Sequence, residues 1–130
     1  MRVVGIGTDI TEIDRVERLI EKHPDFCRRR VFTPSEVSYC ESGKKSGERY
    51  AARWAAKEAV MKALGTGWGE GVDWTEIEVL RGGAGRPSLN LTGGALKKAE
   101  SLGITDWQIS LSHCRRYAVA FVTAQGRDPS

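Results

Sequence analysis

A chain of 130 residues and 14.3 kDa is the size of one domain, long enough to bury a core and too short to divide into two. Hydrophobic residues at 40% and charged residues at 28%, with only four prolines, exclude disordered and fibrous classes. A formal charge of +3 and a pI near 8.9 fall short of a domain that coats nucleic acid, yet favour an anionic partner if the charge gathers on one side.

No apolar run approaches the roughly 18 residues of a bilayer span, and the start MRVVGIGTDI lacks the apolar core of a signal peptide. A cytoplasmic protein without membrane association is expected. Cys27, Cys40 and Cys114 are odd in number and widely spaced, with no zinc-type cluster, and read as reduced thiols.

Residues 2–9 read as a buried strand ending at Asp9. A helix follows over 11–22, with Ile13, Val16, Leu19 and Ile20 on one face and Pro24 as its stop. Residues 25–32 form a basic connector. The run Thr33-Pro34-Ser35-Glu36 predicts a capped short helix to Cys40, and SGKKSG a polar loop. The long alanine-rich helix spans 48–64 and stops at Gly65-Thr66-Gly67. Strands at 75–80 and 88–91 pair across GGAGRP, a helix occupies 92–102, and strands at 107–112 and 117–123 flank the turn His113-Cys114-Arg115-Arg116. The domain is expected to span 1–126, with 127–130 frayed. The order β-α-α-α-β-β-α-β-β with short turns predicts an α+β fold, an antiparallel sheet packed on the long central helix.

That helix is apolar on nearly every side, yet carries Arg49, Arg53 and Lys57 four residues apart, with Glu58 and Lys62 beside them. Stacked like charges call for a phosphate-rich counter-ligand, unless the stripe is only a solvated face with a Glu58–Lys62 surface pair. Asp9 is either the N-cap of the first helix or, if it converges with Glu58, half of a hard-oxygen site suited to Mg²⁺. His113, next to Ser112, Arg115 and Arg116, is a surface residue or an anion contact. Gly65 and Gly67 cap the long helix or admit a cofactor close to bare backbone. On the first helix Arg15, Arg18 and Lys22 share a face, with Arg28, Arg29 and Arg30 following; this is solvated surface or a dock for an acidic protein. Nucleic acid is not expected as a partner, because no aromatic residues interleave with the patch to stack bases.

The segments GIGTDITEIDR, RWAAKEAVMKALGTG, GRPSLNLTG and ISLSH, in this order over nearly all of residues 2–124, resemble the bacterial holo-acyl-carrier-protein synthases, the small 4′-phosphopantetheinyl transferases. The resemblance implies Mg²⁺ on Asp9 and Glu58, in contact with the pyrophosphate of coenzyme A, and Lys62 near its bridging oxygen. It implies phosphate contacts for Arg53 and Lys57, a 3′-phosphate end near Ser112 and His113, and an adenine near Gly65 and the Arg86-Pro87 turn. It further implies an acidic acyl carrier protein as partner, docked on Arg15, Arg18, Lys22 and Arg28, a role in fatty acid biosynthesis, and a homotrimer with active sites between subunits. Cys114 stands where many relatives have aspartate. The alternative is a non-catalytic nucleotide- or RNA-binding module on the same basic stripe, which needs neither a carboxylate pair nor a catalytic lysine.

Overall fold

The computed structural model describes residues 1–81 and 85–127. Strand β1 runs Arg2–Glu12, three residues past Asp9. Its ladder with the last strand continues to Glu12 opposite Tyr117, and β-branched Ile10 and Thr11 favour the extended backbone. Helix α1 (Ile13–Lys22) therefore starts after Glu12, and Asp9 lies inside a strand, which removes its N-cap role.

The basic connector is α2 (Pro24–Phe26) followed by a π-helical turn, Cys27–Val31. Helix α3 (Pro34–Cys40) starts as its sequence indicates. The Glu36 amide donates to Thr33 Oγ1 (3.2 Å) and the Thr33 amide to Glu36 Oε1 (2.9 Å), with Pro34 in the first turn. Helix α4 (Ser46–Leu64) begins two residues earlier than expected. It ends at Gly65, φ 75°, where the amides of Gly65 and Thr66 donate to the carbonyls of Lys62 and Met61.

A 3₁₀ turn (Trp74–Glu76) leads into β2 (Ile77–Arg81), which pairs with β3 (Pro87–Leu91). Helix α5 (Gly93–Ser101) and strands β4 (Ile104–His113) and β5 (Tyr117–Gly126) complete the chain. Residues 82–84 of the expected GGAGRP turn, and 128–130 of the expected frayed tail, lie outside the described residues.

The α+β fold is as expected, but its strands form two antiparallel sheets: β1-β5-β4, and the β2-β3 hairpin, which packs beside β4 without joining its ladder. Helix α4 crosses the three-stranded sheet. Small residues allow a close approach: Ala118, Ala120, Val122 and Ala124 of β5 and Ala51, Ala55 and Ala59 of α4 are fully buried. At the β1 crossing the helix rests on bare backbone, since a Cβ at Gly7 would stand 1.8 Å from the Ala59 carbonyl oxygen, and one at Gly5 2.5 Å from that of Ala63. Asp9 is thereby held against the last turns of α4. On the outer sheet face Ile6 is 60% exposed, Ile10 65% and Phe121 41%, with Val3 and Tyr117 also uncovered.

Candidate active site

The Gly5/Gly7 crossing brings Asp9, Glu58 and Lys62 together. Lys62 Nζ donates to the Thr8 carbonyl (2.9 Å) and to Asp9 Oδ1 (3.3 Å), while Thr11 Oγ1 donates to Asp9 Oδ2 (2.6 Å). Glu58 is half-buried beside them. Burial pushes its carboxyl above the ordinary value of 4.5, and the charge of Asp9 pushes it further, against the pull of Lys62 and Arg15. The two carboxylates repel, and the ion pair that Lys62 forms goes to Asp9. Among the described residues no group of three or more His, Cys, Asp or Glu is placed to hold a metal. Two hard oxygen donors, with water and phosphate completing the shell, suit Mg²⁺, which dehydrates reluctantly and prefers few protein ligands.

Arg53, Pro87 and His113 meet elsewhere. They line a cleft of about 340 Å³ with Tyr39, Arg49 and Arg81, walled by the N-terminal half of α4 on one side and by β3 and β4 on the other. His113 Nε2 lies 3.3 Å from Glu48 Oε2. In sequence the Arg49-Arg53 stripe and the Glu58-Lys62 pair read as neighbours. Helix geometry separates them, because the five residues from Arg53 to Glu58 turn about 140° around α4. Glu48 and Lys62, which touch the two centres, lie about 20 Å apart along the axis at 1.5 Å per residue.

Lys57 does not reach either centre. It is fully buried, with Nζ 2.8 Å from Glu36 Oε1 and donating to the carbonyls of Trp74 (3.0 Å) and Ile77. Burial draws its pKa down and Glu36 opposes that shift. No solvent-borne phosphate can reach an ammonium enclosed in this way, and its expected phosphate contact is corrected to a structural one. Ser112 and His113 alternate across β4, so only His113 faces the cleft; Ser112, opposite Val119, belongs to the outer sheet face. Arg86 is exposed but is not part of the cleft lining. Gly65 stands three residues after Lys62 at the end of α4, where its αL position serves the capping role and the space around it is open.

Arg15, Arg18 and Lys22 border a groove of about 630 Å³ that starts at Thr11 and is walled by Phe26, Trp54, Trp68 and Trp74. Arg28 is not on its rim; its Nε donates to Glu41 Oε2 (2.9 Å) in a separate cavity behind α1. The aromatic wall escaped the sequence reading, because its members come from four segments that share no periodicity. Tyr39 and Arg81 escaped for the same reason. All three cysteines are free thiols, as expected, with Cys40 pushed up to about 12 by burial. No helix among the described residues is long and apolar enough to cross a membrane.

Residues 5–122 match a family model described as the 4′-phosphopantetheinyl transferase superfamily. The chain is 49% identical over 118 residues to a holo-[acyl-carrier-protein] synthase of Ruminiclostridium cellulolyticum, covering 89% of this chain and 87% of that one. It is 50% identical over 114 residues to the synthase of Moorella thermoacetica, covering 88% of each. Its structure superposes on the crystal structure of the Neisseria meningitidis synthase with a TM-score of 0.85 at 33% identity, covering 95% and 98% of the two chains. A Bacillus anthracis synthase described as in complex with CoA (3′,5′-ADP) matches with a TM-score of 0.79 at 33% identity, covering 98% of this chain and all of that one. The Asp9-Glu58-Lys62 centre thus lies in a fold shared with enzymes, and the non-catalytic alternative is set aside: the chain belongs to the 4′-phosphopantetheinyl transferase superfamily, among the holo-acyl-carrier-protein synthases.

Proposed function

We propose that the chain moves the 4′-phosphopantetheine arm of coenzyme A onto a serine of an apo acyl carrier protein, with Mg²⁺ held by Asp9 and Glu58. The reaction would serve fatty acid biosynthesis in the cytoplasm. The observation that carries this reading is the convergence of Asp9, Glu58 and Lys62 at the glycine crossing. When bound, Mg²⁺ supplies charge neutralisation for the pyrophosphate. The serine Oγ attacks the β-phosphorus, the bond from that phosphorus to the bridging oxygen breaks, and adenosine 3′,5′-bisphosphate leaves with that oxygen. Lys62 has three donors and spends two on Thr8 and Asp9; the third stabilises or protonates the leaving oxygen. Glu58 takes the serine proton directly or through an ordered water. Mass spectrometry of apo carrier protein incubated with the enzyme, coenzyme A and Mg²⁺ tests the reading. The expected result is one added phosphopantetheinyl group; an unmodified carrier would refute it.

The two centres stand on different flanks of α4, with Arg53 and Glu58 about 140° apart around it, so a single coenzyme would have to wrap around the helix to reach both. This supports sites assembled between copies, with the carboxylate centre of one chain facing the arginine cleft of the next. The uncovered apolar strip of Val3, Ile6, Ile10 and Phe121 supports an interface along the outer sheet face, consistent with a trimer. Ile10→Arg is expected to yield a folded monomer with at least about a tenfold loss of transfer, because a buried unpaired charge opposes association. Light scattering checks the mass, circular dichroism the fold; a fully active monomer would refute the shared site.

Arg15, Arg18 and Lys22 on the groove rim support docking of the acidic carrier next to the carboxylate centre. Arg15→Glu with Arg18→Glu should raise KM for carrier about tenfold or more and leave KM for coenzyme A unchanged, and added salt should weaken wild-type carrier binding as the Debye length falls from about 10 Å towards 3 Å. Normal turnover of carrier by the double mutant at low salt would assign this rim to solvated surface.

A further inference from the structure

Three guanidinium groups converge on one aromatic ring. Arg53 Cζ lies 4.3 Å from the centroid of Tyr39, Arg49 Cζ 4.5 Å and Arg81 Cζ 5.1 Å. The contacts fix the cluster from both ends of the tyrosine: Arg81 Nη1 donates to the Tyr39 hydroxyl (2.7 Å), and Arg49 Nη1 donates to the Tyr39 carbonyl (2.9 Å) and to Ser42 Oγ (3.1 Å). Arg53 Nη1 donates to the Arg49 carbonyl (3.3 Å). Like charges gathered this closely repel, and the negative face of the ring offsets only part of that repulsion.

No carboxylate among the described residues lies within ion-pair distance of any of the three arginines, and Glu48 is taken by His113. Arg53 is only 6% exposed, yet its Nε is buried with no acceptor. A buried donor without a partner, on the wall of a cleft that also holds Lys45 and His113, marks a site built for an anion.

The charge of the cluster matches a dianion better than a monoanion. Coenzyme A carries one terminal phosphate monoester, at the ribose 3′ position, with two ionisable oxygens on one phosphorus; its pyrophosphate, esterified at both ends, has one on each phosphorus and belongs with the carboxylate centre. We infer that Tyr39 is a positioning residue for substrate selection: its ring and hydroxyl hold Arg53 and Arg81 in register for that monoester, so the enzyme distinguishes coenzyme A from dephospho-coenzyme A. This rests on the coenzyme A reading above. Tyr39 touches no reacting atom; it acts through the arginines, which lose their orientation without it.

The test is steady-state transfer to apo carrier by wild type, Tyr39→Phe and Tyr39→Leu, with coenzyme A and dephospho-coenzyme A as competing donors. Wild type should prefer coenzyme A. Tyr39→Leu should lose about tenfold or more in kcat/KM for coenzyme A, through KM, and stay within about twofold of wild type on dephospho-coenzyme A. Tyr39→Phe keeps the ring and should retain most of the preference. Arg81→Met, at an exposed position, should reproduce the selective loss and serves if Tyr39→Leu does not fold. Equal losses on both donors, or an unchanged preference, would overturn the inference, as would a wild type that uses both donors equally. A wild type that modifies carrier with neither donor would instead overturn the coenzyme A reading itself.

Discussion

Glu58→Gln and Asp9→Asn are each expected to lower Mg²⁺-dependent transfer about a thousandfold, equivalent to about 4 kcal/mol of transition-state stabilisation, and to leave the fold intact. Each change keeps the shape of the side chain and removes one of the two anionic oxygens proposed to hold Mg²⁺, so the pyrophosphate charge would go uncompensated. Stability should move the other way for Glu58. Its folded pKa lies above the ordinary value of 4.5, because burial and Asp9 disfavour the carboxylate. Its favourable contribution to the metal-free fold is therefore complete below the unfolded pKa and is lost as pH rises through the folded one. At pH 7 without Mg²⁺, Glu58→Gln should thus melt at the same temperature as wild type or higher. Added Mg²⁺ should raise the Tm of wild type only, by mass action on the folded state. Calorimetry with and without Mg²⁺, alongside the transfer assay, checks both halves. A mutant that loses activity together with stability would make Glu58 a structural residue, and one that keeps wild-type turnover at millimolar Mg²⁺ would remove it from the metal site.

The sequence pattern carried the elements of this centre further than their arrangement. Asp9, Glu58 and Lys62 are singled out through the resemblance carried by GIGTDITEIDR and RWAAKEAVMKALGTG; taken alone, Asp9 also reads as an N-cap and Glu58–Lys62 as a surface pair. Gly5 and Gly7 carry no reading of close packing in the sequence, and the structure uses them for the approach of Ala59 and Ala63. What one-dimensional spacing could not give is sidedness. Arg53 and Glu58 are five residues apart in a helix buried all round, so no polar face marks which flank each belongs to, and the two centres read as one. Strand ends were short by several residues at β1, β4 and β5, because ladder hydrogen bonds extend them, between β1 and β5 to partners more than a hundred residues away and between β4 and β5 across a hairpin. Tyr39 and Arg81 meet across 42 positions, with no local signal to connect them.

Lys57→Met is expected to destabilise the protein by about 3–5 kcal/mol, because it leaves the Glu36 carboxylate buried without its counter-charge. Glu36 is as deeply buried as Lys57 and accepts the amides of Thr33 and Val79, so it cannot turn to water when the lysine is gone. The pair ties four segments together: Glu36 in α3, Lys57 in the middle of α4, the carbonyl of Trp74, and that of Ile77 at the start of β2. A loss of this size is a large part of the roughly 5–15 kcal/mol that holds an ordinary domain together, and should lower the Tm by more than about 10 °C. Lys57→Arg should not rescue it, since the enclosed site has no room for a planar guanidinium and presents carbonyls arranged around a single ammonium. The distinction from a phosphate contact lies in the kinetics. Assayed well below its melting temperature, the folded fraction of Lys57→Met should bind coenzyme A with an unchanged KM, whereas a lysine that touched phosphate would raise KM and leave Tm alone. Thermal unfolding and KM measured on the same preparation decide between them.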